Sequence, residues 1–159
     1  QAAAGDVNEF VITFPGTPSS YTNAYEKTFT MTLYNAYEFE FANINNGVEA
    51  NAWTEVRFGR KSAASVATIV TKTAVPYAVS SVKINFTKVG ANLNSAKLIV
   101  ASDADFTNVI EEVSGTPVVG EVSYAISTPA ENCYYKLVYD MKADGANGNY
   151  RFSNITYAK

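Results

Sequence analysis

The chain has 159 residues, 47% hydrophobic and 17% charged, with a formal net charge of -3. That length suits one domain with its own core, and the lack of a basic excess removes the usual footprint for nucleic acid or an anionic membrane surface. Histidine is absent and cysteine occurs once, at Cys133. This excludes an internal disulfide, Ser-His-Asp and Cys-His centres, and histidine-based zinc sites. No apolar run approaches the roughly 20 residues of a spanning helix.

Residues 1–6 are small and polar and read as a trimmed end or a short tether left after processing; 7–158 read as one domain. Phe10, Ile12 and Phe14 alternate with Val11 and Thr13 as a first strand, which Pro15-Gly16 and Pro18 end. Phe29, Met31 and Leu33 alternate with threonines, and Tyr37, Phe39 and Phe41 alternate with Glu38, Glu40 and Ala42. Only Asn35-Ala36 separates these runs, so they form a hairpin or one bent strand. Asn43, Asn45, Asn46 and Gly47 are expected to close the unit as a turn. In the segment 53–61, strand parity puts Val56 and Phe58 on one face and Trp53, Glu55 and Arg57 on the other, and Gly59 ends the run. The stretch 66–71 is apolar on both faces, as in an interior strand covered on both sides.

Val82, Ile84 and Phe86 give the cleanest alternation. A turn over 90–94 leads to a short strand over 97–101, then a loop over 102–106. The stretch 106–113 reads as a strand or a single helical turn. Val122, Tyr124 and Ile126 alternate after a loop over 115–120, and Cys133, Tyr135, Leu137 and Tyr139 after Pro129. Asp144-Gly145 and Asn147-Gly148 predict a tight turn of hairpin type. The last strand, 150–157, changes parity near Ser153-Asn154, which predicts a bulge. About ten short strands with turns at this spacing predict an all-β fold, a single jelly-roll β-sandwich.

Without histidine, acid–base chemistry would need paired carboxylates. Glu38 and Glu40 read as a solvated strand face, and Glu111-Glu112 as a loop or strand edge, so no catalytic residue is assigned and the chain is expected not to be an enzyme. Asp140, Asp144 and Asn147 resemble a calcium loop faintly, but Lys142 and Arg151 occupy positions where ligands would be needed. Asp103 and Asp105 are too few for a site alone. No metal or cofactor is expected, and Cys133 reads as a small buried hydrophobe. The segment 53–61 remains. It holds the only tryptophan and two of the three arginines. An indole can stack on a sugar ring while arginines donate paired hydrogen bonds, so Trp53, Arg57 and Arg60 are the candidate ligand-binding residues. A structural role, with Trp53 closing the core and the arginines pairing with acids such as Glu55, explains the same residues.

Three stretches together carry a resemblance: Trp53-Thr-Glu-Val-Arg57-Phe-Gly59-Arg60-Lys61 with 67–71; Leu98-Ile-Val-Ala-Ser-Asp103-Ala-Asp105-Phe106; and 134–140 with Asn147-Gly148 and 155–157. The chain resembles, over about 7–157, β-sandwich modules of surface and secreted proteins of Bacteroidetes, many built like galactose-binding or carbohydrate-binding domains. The resemblance implies a jelly-roll fold and an exported location, extracellular or at the outer cell surface, where lipid anchoring would come through residues outside this stretch; the expected role is non-catalytic binding with a glycan as partner. The alternative is a structural or adhesive module joining proteins at that surface. The resemblance transfers no binding residue.

Overall fold

A computed structural model describes residues 8–13, 25, 28–34, 36–45, 56–143 and 146–159. Alternating apolar and polar residues make strands throughout, and among the described residues there is no helix. In chain order the strands are β1 (Phe10–Thr13), β2 (Thr28–Leu33), β3 (Tyr37–Ala42), β4 (Ile44–Asn45), β5 (Val56–Phe58) and β6 (Ser65–Thr71). Then come β7 (Ser81–Lys88), β8 (Leu93–Ala101), β9 (Val109–Ser114), β10 (Gly120–Ala125), β11 (Tyr134–Met141) and β12 (Tyr150–Ala158).

They form two antiparallel six-stranded sheets. The first runs β10-β7-β12-β5-β4, with β1 also on β12; the second runs β2-β3-β6-β11-β8-β9. Their inner faces meet in one aromatic core. Phe39 of the second sheet lies 5.6 Å from Tyr157 of the first, and Phe58 stacks on Tyr139 across the sandwich at 4.9 Å and on Tyr150 beside it at 5.2 Å. The buried Tyr77, Tyr124 and Tyr139 place their hydroxyls on polar partners. Tyr77 accepts from the Phe10 amide at 2.7 Å and donates to the Tyr157 carbonyl at 2.6 Å, tying β1 to β12. The Tyr124 and Tyr139 hydroxyls share a 3.1 Å bond.

Within the described residues the expected runs are strands with the expected faces, and β2 and β3 form the hairpin; Phe14 and the side chain of Phe29 lie outside what is described. The bulge near 153–154 is present, with a second register shift between Arg151 and Phe152. Four expectations are corrected. The described strands number twelve, not about ten. Residues 43–45, expected as part of a turn, are not simply one: Asn43, at φ 58, redirects the chain so that Ile44–Asn45 joins the other sheet against β5, while Asn46 and Gly47 lie outside the described residues. The turn around Asn147-Gly148 is no hairpin, because β11 and β12 lie in different sheets; the Gly148 amide instead donates to the Gly59 carbonyl at 2.9 Å. The strand over 97–101 extends back to Leu93. On the outer face of β6 cover is uneven: Val66 is 42% exposed and Val70 only 5%. Asp144, Trp53, Glu55 and the proposed tether lie outside the described residues.

Candidate functional site

Arg57 is the centre of β5, between buried Val56 and Phe58, so pleating sends it to the outer face of the first sheet. Register then selects its neighbours: Arg151 stands opposite on β12 and Asn45 opposite on β4. Two like charges directly opposed across strands are unfavourable unless something answers them. Both arginines are half-buried. The Arg151 Nε donates to the Gly148 carbonyl at 3.1 Å. The Arg57 Nε is buried with no hydrogen-bond partner among the described residues.

The half-buried Tyr25 phenol joins the cluster. Burial raises its pKa, opposed in turn by the Arg57 charge, a hydrogen bond to the Asn45 side chain and the Arg151 charge. Beneath them lies Gly148, at φ 69; a Cβ built there would come within 2.6 Å of both the Arg57 Cδ and the Tyr25 hydroxyl. Glycine is required twice over, for the left-handed backbone and for the space. Replacing Gly148 by alanine is expected to cost about 1–3 kcal/mol, a fall of roughly 2–12 °C in melting temperature. Calorimetry checks this, and an unchanged midpoint would show that Arg57 and Tyr25 do not rest on this glycine.

Arg60 follows Gly59 and is half-buried. The backbone amide of its neighbour Lys61 donates a hydrogen bond to the Asn147 Oδ1 at 2.7 Å. The 59–61 and 147–148 backbones are thereby stapled together, and all three arginines of the chain, Arg57, Arg60 and Arg151, flank this junction. Guanidinium groups present forked donors that match a carboxylate or sulfate, so the corner is suited to holding an oxyanion. The sequence argument placed Arg57 and Arg60 and missed Arg151, Asn45, Tyr25 and Gly148. The available signal was that the third arginine alternates between inward Tyr150 and Phe152 just as Arg57 alternates between Val56 and Phe58.

The carboxylates take other parts. Asp103 accepts from the Thr107 hydroxyl at 2.5 Å and from the Asn108 amide at 2.8 Å, which hold its pKa below the ordinary carboxylate value. Asp140 accepts from the Asn94 side chain at 3.1 Å. Glu111 accepts from the Ser127 amide, and Glu112 pairs with Lys97 at 3.4 Å. No three metal-binding side chains gather among the described residues. Cys133 is buried, and burial raises its thiol pKa. No described helix is long and apolar enough to cross a membrane.

Two concavities lie on the surface of the described residues. One, of about 460 Å³, opens between the 90–96 stretch and 114–116 and carries no charged side chain in its wall. The other, of about 270 Å³, lies on the outer face of the second sheet beneath the loop that carries Phe106. Comparisons with protein-family models, with curated proteins and with solved structures find no match to this chain.

Proposed function

We propose that the protein is a non-catalytic jelly-roll module of the outer cell surface, built like galactose-binding modules, which holds a carboxylate-bearing sugar at the arginine corner. The observation that carries the reading is the opposition of Arg57 and Arg151 on paired strands, with a buried Arg57 Nε that has no described partner. An oxyanion seated beside Arg57 would take up that donor. Asn45 and Tyr25 supply neutral hydrogen-bonding groups beside it for ring hydroxyls. The resemblance to exported sandwich modules supports the location and the class of ligand.

Isothermal titration with methyl glucuronide and methyl galacturonide tests this. At least one should bind, and Arg57→Ala should weaken it by roughly 10–100-fold, the worth of a charge-assisted hydrogen bond. Arg57→Lys should restore little, because a point charge does not replace a fork. Failure of both uronides to bind, or wild-type affinity in Arg57→Ala, sinks the reading.

The structural or adhesive alternative draws on a different feature. Val109 and Ile110 on the edge strand β9, and Val118 and Val119 in the loop that follows it, are all exposed. An open strand edge with apolar flanks is a surface on which another chain could pair.

A further inference from the structure

The loop 102–108 is built at a cost. Phe106 adopts φ 55, a left-handed backbone that a bulky aromatic residue rarely takes. The loop holds it there by several bonds at once: the Phe106 amide donates to the Asp103 carbonyl at 3.2 Å, the Asp103 carboxylate receives Thr107 and Asn108, and the Ser102 amide donates to the Asn108 carbonyl at 3.1 Å. Strain kept by an over-determined surrounding marks a conformation that is wanted. Its result is to lay the Phe106 ring against the Lys136 ammonium, 4.5 Å from the ring centroid, so that the loop roofs part of the sheet.

Under that roof Glu40, Val70 and Lys136 lie in one register row across β3, β6 and β11. Val70 is the buried floor, with Glu40 one strand to one side and Lys136 one strand to the other, their backbones roughly 10 Å apart at the usual strand spacing. Asp105 and Lys72 add a second acid and a second amine to the wall. The four charges cancel, so the groove favours neither an anion nor a cation. Its charged groups are of two kinds, carboxylates that only accept and ammoniums that only donate, and the Thr68 hydroxyl stands among them. A hydroxyl does both, and an array of hydroxyls is the group that satisfies the two kinds together. The 270 Å³ volume accommodates about one sugar ring.

We propose that this groove is a second binding site, for a neutral saccharide ring, set on Val70 and Phe106 with its hydroxyls bridging Glu40 and Asp105 to Lys72 and Lys136. It does not depend on the arginine corner, which lies on the other sheet and selects the opposite kind of ligand.

The test is amide chemical-shift mapping of the whole labelled protein against neutral probes: glucose, galactose, mannose and xylose, with their common disaccharides. At least one probe should shift the amides of Glu40, Val70, Asp105, Phe106 and Lys136. Glu40→Gln, which changes charge and not shape, and Phe106→Ala should each weaken that probe roughly tenfold or more, while Arg57→Ala leaves it unchanged. Absence of these shifts with every probe overturns the proposal. So do shifts that persist at wild-type affinity in Glu40→Gln. Release of monosaccharide from a disaccharide probe overturns binding as the groove's function.

Discussion

Above pH 10 the protein is expected to lose stability at about 1.4 kcal/mol per pH unit for each buried phenol. Burial pushes the Tyr77 hydroxyl from its ordinary value of 10 up to about 12. Burial likewise raises Tyr135, Tyr139 and Tyr157, helped at Tyr139 by the neighbouring Tyr124 phenol. Below pH 10 these groups are neutral in the folded and unfolded chain alike, and their contribution is complete. As pH rises past 10 the unfolded chain releases protons that the folded chain still holds, so unfolding is favoured, until the native pKa of each group is reached. Four such tyrosines sum to roughly 5 kcal/mol for one pH unit, comparable with the whole stability of many domains. The expected result is a cooperative loss of β circular dichroism between about pH 11 and 12, with phenolate absorbance rising in the same step. Phenols that ionise one after another near pH 10 while the fold persists would contradict it.

Phe58→Ala is expected to destabilise the fold by about 3–5 kcal/mol, the usual range for emptying a buried phenylalanine site. The ring is fully buried and meets Tyr150 in its own sheet and Tyr139 in the opposite one. It also makes edge contact with Phe86 at 6.3 Å. Rigid aromatic neighbours collapse poorly into a void, which places the cost toward the upper end. Because Phe58 is next to Arg57, the same substitution should also slacken the arginine corner. Urea unfolding measures the first effect, and uronide titration the second. A loss under 1 kcal/mol would mean that the two sheets are not joined through this ring.

Alternation of apolar residues was enough to give the strands and their faces, because a side-chain period of two follows from the pleat alone. Val56, Arg57 and Phe58 show how far that reaches: three residues specify an inward–outward–inward strand. Alternation carries no information on which strand lies beside which. Arg151 therefore stayed invisible as the partner of Arg57, although its own strand was evident. The same limit turned the 147–148 junction into a hairpin, since glycine and asparagine signal a reversal without saying to which sheet the chain returns. Ile44–Asn45 is too short for any period to register. The groove was hidden for another reason: it depends on the backbone angle of Phe106, which side-chain type gives no ground to expect.

One consequence follows from the position of β12. It pairs with β7 on one side and with both β5 and β1 on the other. All three are made earlier by the ribosome, and none of β1, β5 and β7 pairs with another of them. During synthesis these segments wait as separate ribbons, and the first sheet can be zipped only once β12 has emerged. Such a topology is expected to fold slowly, on the milliseconds-to-seconds scale of non-local β pairing. The Arg57–Arg151 opposition does not exist before that event, so the nascent chain acquires its arginine corner in the same step in which the first sheet closes.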